Sequence, residues 1–197
     1  MKQIIVIHGG DAFDSYDDYL AFLQGYEIDR SIFLKGGWKQ NLQKDLGGEY
    51  EVLLPVMPNK FNAKYLEWKI WFEKMIPFFE SGIILIGHSL GGIFLAKYLA
   101  ENNFSKKAQA LFLVAAPFND VDTYSLADFG LSTSLEKCEE KVENIFIYQS
   151  EDDPVVPFFE AAKYQEKLPK AELRIFKDMG HFSQDNFPEL VEQILSL

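Results

Sequence analysis

One cysteine, Cys138, and three histidines are all that 197 residues hold of the side chains that most often bind metals or exchange electrons. A lone thiol cannot close an internal disulfide, so nothing calls for an oxidising compartment, and the expected location is cytoplasmic. His8, His88 and His181 show no ligand spacing, and no metal or organic cofactor is implied. Cations are also scarce: 19 Lys and Arg against 30 Asp and Glu give a formal charge of −11. Phosphate recognition needs clustered Lys and Arg, which argues against a nucleic-acid partner, and an anionic membrane surface is disfavoured for the same reason. Long apolar runs are missing as well. Ile4 to Ile7 is cut off by His8-Gly9-Gly10, too early for a signal peptide or a membrane span, and no other apolar stretch approaches spanning length without a charge. There is no internal repeat and no low-complexity linker.

Apolar and aromatic residues, in contrast, are plentiful: 48% of the chain is hydrophobic, with 18 Phe, 9 Tyr and 3 Trp. This length suits one domain with a sizeable core, so residues 1–197 are read as a single domain. Gln3 to Ile7 is a continuous β-branched run, as expected of a strand buried on both faces of a parallel sheet. Similar runs at Tyr50 to Leu54, Ile83 to Ile86, Gln109 to Ala115, Val142 to Gln149 and Glu172 to Phe176 complete six expected strands. Helical patterns lie between them. Ser15 can cap a helix from Tyr16, and Trp38, Leu42 and Leu46 mark another that Gly47-Gly48 ends. A longer helix over 63–79 has apolar residues on more than one face and is expected to be largely covered. Strands alternating with helices imply an α/β fold, a three-layer α/β/α sandwich around a mainly parallel sheet joined by right-handed crossovers.

Two segments fall outside this alternation. Residues 11–36 spread Phe13, Tyr16, Tyr19, Phe22, Tyr26 and Phe33 among acidic residues; the rings either form a lid or pocket wall or simply bury the segment on the domain. Residues 117–141, with Asp120, Asp122 and Asp128 among Ser and Thr, read as a small cap with one or two short helices. The charged run from Glu136 to Lys141 reads as a solvated helix face. Cys138 sits in that run without a sequence-adjacent base, which argues against a catalytic thiol.

The chemistry centres on Ile83 to Gly92, a strand that runs through Gly-His-Ser-Leu-Gly into a helix. In a turn this sharp Ser89 is lifted off the strand end, with Gly87 and Gly91 leaving room for it. Free N–H groups of the following helix point at whatever Ser89 attacks. A serine hydroxyl is a poor nucleophile near neutral pH and needs a base plus a group to orient that base. His88 is pinned beside the nucleophile and is disfavoured as base. His181, in the loop after the last strand, can reach across the sheet edge. Asp152 and Asp153 follow the fifth strand, and Asp153 is chosen because it precedes Pro-Val-Val-Pro, with Asp152 as the alternative. The order Ser, Asp, His is that of an α/β-hydrolase sheet.

Together, His8-Gly9-Gly10, Gly-His-Ser-Leu-Gly-Gly, Asp-Asp-Pro-Val-Val-Pro and Gly-His-Phe resemble the α/β-hydrolase superfamily. Within it the chain is similar to the small serine hydrolases grouped with retinoblastoma-binding serine hydrolase and bacterial YdeN. The resemblance implies Ser89 as nucleophile, His181 as base, Asp153 as orienting acid, and the N–H groups of Gly10 and Leu90 as an oxyanion hole. It also implies that the first two strands of the larger fold are missing, and it makes residues 11–36 an insertion. The activity implied is hydrolysis of a small-molecule ester, thioester or activated amide, and the aromatic insertion leans toward a hydrophobic or aromatic acyl group. Acyl transfer or perhydrolysis with the same residues, or a partner-binding role on this scaffold, are the alternatives.

Overall fold

A computed structural model describes residues 1–28, 30, 36–121, 124–131 and 134–197; Phe33 and Asp122 lie outside the described residues. Its frame is a single sheet of six strands, all parallel, in the order β2-β1-β3-β4-β5-β6. The strands are β1 (Lys2–Ile7), β2 (Tyr50–Leu53), β3 (Ile83–His88), β4 (Ala108–Val114), β5 (Val142–Ser150) and β6 (Glu172–Phe176). The helices are α1 (Tyr16–Gly25), α2 (Trp38–Leu46), α3 (Tyr65–Met75), α4 (Leu90–Glu101), α5 (Glu136–Lys141), α6 (Phe159–Lys167) and α7 (Pro188–Leu195). Among the described residues no helix is long and apolar enough to cross a membrane.

Alternating side chains divide the core into two halves, one on each side of the sheet. Ile5, Ile7, Leu85, Leu111 and Ile147 meet apolar residues of α3, α4, α5 and α6. Ile4, Val6, Ile86, Phe112 and Tyr148 meet Trp38, Leu42 and Leu46 of α2 and Leu190 and Ile194 of α7. The α/β/α layering expected from the alternation of elements is therefore present. Gln43 of α2 supplies the edge strand with polar partners, donating to the carbonyl of Tyr50 at 3.0 Å and accepting from Val52 N–H at 2.9 Å. That satisfies groups which a sheet edge otherwise leaves open.

Two expectations need correction. The first concerns α3, which is covered on one face only: Trp68 and Phe72 are fully buried, whereas Leu66, Ile70 and Trp71 are exposed. This helix lies outermost in its layer and has α4 on one side, so its second apolar stripe meets no partner. The second concerns α5, whose charged run is not simply a solvated face. Cys138 is fully buried and donates to Ala96 O, and Lys141 Nζ reaches the Leu99 and Asn102 carbonyls at 2.5 and 2.7 Å. A cation on the terminal carbonyls of α4 is favourable because those groups have no partner within the helix.

The one-sided burial of α3 makes a direct comparison possible. Trp68→Ala is expected to cost about 3–5 kcal/mol of unfolding free energy, as for other large-to-small core changes. Trp71→Ala is expected to stay within about 1 kcal/mol of the parent. Urea denaturation of the two variants measures both.

Candidate active site

β3 feeds directly into α4, and the residue between them is Ser89, with φ 54° and ψ −126°. A positive φ in a non-glycine residue costs of order 1–3 kcal/mol and persists only when its surroundings hold it. Here they do. Ser89 N–H donates to Val114 O of β4 at 2.8 Å, and Ser89 O accepts from Gly92 N–H at 2.8 Å. A Cβ at Gly87 would lie 2.5 Å from Gly92 Cα, and one at Gly91 would lie 2.7 Å from the His8 carbonyl and press on that of Ile7. The turn closes because both positions are glycine.

β1 and β3 are neighbours, with Ile7 opposite Gly87, so the loop after β1 runs beside the turn. Gly9 is close enough that a Cβ there would come within 3.0 Å of Ser89 Cβ; one at Gly10 would come within 2.5 Å of Lys60 O. Paired bonds fix this loop to the segment after β2: Asp11 N–H donates to Lys60 O and Ala63 N–H donates to Asp11 O, both at 2.8 Å. Gly10 and Leu90 both line a cavity with Ser89, and their N–H groups have no hydrogen-bond partner among the described residues.

His181 and Asp153 arrive at the same edge from β6 and β5. Nδ1 of His181 lies 3.0 and 3.1 Å from the two Asp153 carboxylate oxygens. That carboxylate is wholly buried and also accepts from the N–H groups of Val155 and Val156, at 2.8 and 3.0 Å, and from Gln149 Nε2 at 3.3 Å. Asp152 faces elsewhere: it accepts from Ser150 Oγ at 2.5 Å and from Gly180 N–H at 2.9 Å, and these bonds hold its carboxyl below the usual range. Asp153 is thus the carboxylate beside the imidazole, and Asp152 fastens the loop that carries it. Ser89 and His181 line one cleft, without a hydrogen bond between them among the described residues.

The other two histidines serve the framework. His88 donates from Nε2 to the His181 carbonyl at 2.9 Å. His8 accepts from Met57 N–H at Nε2, 2.8 Å, and its Nδ1–H donates to Gly9 O at 2.6 Å. Both bonds of His8 require the neutral ring. Burial pushes the pKa of His88 well below 6.5, with Lys39 and His181 adding to the effect; burial likewise lowers His8, against the opposing bond to Gly9. Sequence patterns did not single out Lys39 and Lys60, which line the cleft, nor Tyr124, which lines the cavity and whose buried hydroxyl has no partner among the described residues. Of the aromatic residues in 11–36, Phe13 and Phe22 line that cavity, while α1 as a whole has no buried residue.

A parallel sheet with a serine at a strained strand-to-helix turn, and an Asp–His pair delivered by the two following strands, defines an α/β-hydrolase fold. The match to known proteins is specific: residues 34–195 fit the family model described as serine hydrolase, and the chain belongs to that family. It is 31% identical over 164 residues to Serine hydrolase RBBP9 of Rattus norvegicus, covering 82% of this chain and 84% of that protein. Among solved structures, the ydeN gene product of Bacillus subtilis superposes with a TM-score of 0.75 at 19% identity, over 100% of this chain and 98% of that one. The esterase EaEST of Exiguobacterium antarcticum gives 0.61 at 15% identity, over 100% and 91%. At those identities the structural likeness speaks for the fold alone.

His8 and His88 take up a proton less readily in the folded chain than in the unfolded one, whose ordinary value is 6.5. Their contribution to stability is therefore complete above that pH and is lost progressively as pH falls below it. The urea midpoint is expected to hold above about pH 7 and to fall between about pH 6.5 and 5. His8→Gln is expected to show a shallower fall over the same window.

Proposed function

We propose that the protein hydrolyses a carboxylic ester, thioester or activated amide of a small molecule through an acyl-Ser89 intermediate. The observation that supports this most is the position of Ser89, at a strained turn beside two N–H groups without partners among the described residues, in one cleft with His181, whose ring is bonded to Asp153. In this reading His181 Nε2 removes the Ser89 hydroxyl proton as Oγ attacks the carbonyl carbon. Asp153, bonded to Nδ1–H, holds the tautomer that leaves Nε2 free and stabilises the imidazolium that forms. The N–H groups of Gly10 and Leu90 receive the negative charge on the carbonyl oxygen, at the positive end of α4. The bond to the leaving group then breaks, the leaving atom takes the proton from His181, and water repeats the sequence to release the acid.

Residues 11–36 and 117–141 act here as walls of the acyl site. Phe13 and Phe22 from the first segment, and Tyr124 and Leu126 from the second, line the cavity beside Ser89. The two segments are joined by a 2.8 Å bond from Ser125 Oγ to Asp14. A small apolar acyl group suits that space.

Labelling with a fluorophosphonate tests the reading. Wild-type protein is expected to carry the adduct on Ser89 and His181→Ala to lose it, while Ser89→Ala folds normally and hydrolyses no ester. Asp153→Asn is expected to lower kcat about 10⁴-fold, because the imidazole then loses the acceptor that fixes its tautomer. Folded wild-type protein that takes no label would overturn the proposal in favour of a binding role.

A further inference from the structure

Ser89 stands where two unlike spaces meet. On one side is a cavity of about 190 Å³ walled by Phe13, Phe22, Leu126 and Val156. On the other is an open cleft of about 770 Å³ that contains His8, Lys39, Lys60, His88 and His181. His181 lines only the larger space. The reaction itself then orients the substrate. The leaving group must take its proton from His181, so it occupies the cleft, and the acyl group is left to the apolar cavity.

The cleft is cationic in a chain of formal charge −11. Asp11 is the one carboxylate among its described lining residues, and Lys60 lies close enough to lower the pKa that burial raises. That leaves Lys39 uncompensated. Its ammonium sits 4.9 Å from the Trp38 ring centroid and forms no ion pair among the described residues. Burial holds it down to about 8, and it still carries charge at neutral pH. Partly desolvating a cation without a partner is unfavourable, and a bound anion supplies the missing charge.

The geometry points to a substrate whose leaving alcohol or thiol carries an anionic group, carboxylate or phosphate, that Lys39 and Lys60 hold while a small apolar acyl group fills the cavity. This assignment rests on the acyl-serine reading above and adds a substrate class to it.

Matched esters test it at pH 7: the butyryl esters of para-hydroxybenzoate, para-hydroxyphenylphosphonate and the neutral para-hydroxybenzamide. We expect kcat/KM for at least one anionic ester to exceed that for the neutral ester about tenfold, the ratio expected of a pairing partly shielded from water. Whichever anion gives the larger ratio identifies the group. The ratio is expected to fall toward one in Lys39→Gln combined with Lys60→Gln, and to persist in Lys74→Gln, which alters an exposed lysine outside the cleft. Independently of any variant, raising salt to about 1 M, where the screening length is about 3 Å, is expected to shrink the wild-type ratio. A wild-type ratio near one, or a ratio unchanged by both the double substitution and salt, overturns the inference while hydrolysis of the neutral ester upholds the catalytic reading. No turnover of any ester, with no label on Ser89, overturns both.

Discussion

Backbone lies against backbone at the active edge, and the rest of the site depends on that closeness. Gly87, Gly91 and Gly92 leave no room for a Cβ because the next strand of chain is already there: the α4 start at Gly87, the end of β1 at Gly91, and Ala116 beyond β4 at Gly92. The two strands that flank β3, together with the helix it feeds, thus fix one turn. Strain in the serine backbone survives because the sheet on either side over-determines it, which is the general condition for storing strain at a working site. The same contacts bring the loop after β1 beside the serine, so Gly10 and Leu90 line a common space.

A second constraint acts on the loop after β6. His181 is held through its neighbours as much as through its own ring. Trp38 Nε1–H donates to Phe182 O at 2.9 Å, Met179 N–H donates to Ser150 Oγ at 3.0 Å, Gly180 N–H donates to Asp152, and His88 donates to His181 O. Phe182 is fully buried in the face formed with α2 and α7. Bonds from α2, β3 and the end of β5 therefore converge on four consecutive residues. Such support fixes the orientation of the His181 ring against thermal motion.

Most of the sheet could be read from the sequence because parallel strands buried on both faces are continuous apolar runs, and glycine, proline and polar clusters bound them clearly. Ser89, Asp153 and His181 were legible for a related reason: strand ends at one sheet edge must come together whatever the loops do. What escaped the sequence depends on distant partners. Tyr65 N–H, at the start of α3, is capped by the Asp128 carboxylate at 3.0 Å, although Lys64 before it offers no cap of its own. Lys141 and Cys138 were hidden in a run that looks polar, because α4, whose middle receives Cys138 and whose C-terminus receives Lys141, lies about 40 residues earlier in the chain. Lys39 gave no local signal. Its place in the cleft follows from where α2 begins, which no local pattern sets. Of the described rings in residues 11–36, Phe13 and Phe22 line the cavity, while α1 has no buried residue and contributes nothing to the core.

The bond between Asp14 and Ser125 joins two segments that contribute no strand to the sheet. Strand pairing, the core half packed on α2 and α7 and the hydrogen bonds of His181 use none of their described residues, whereas Phe118, Leu126, Phe129 and Cys138 belong to the other core half. Changes at Phe13, Phe22 or Tyr124 can therefore reshape the cavity beside Ser89 without disturbing the sheet. In a lineage of such proteins, the shape of that cavity is free to drift over an almost constant sheet, because selection acts on the two parts separately.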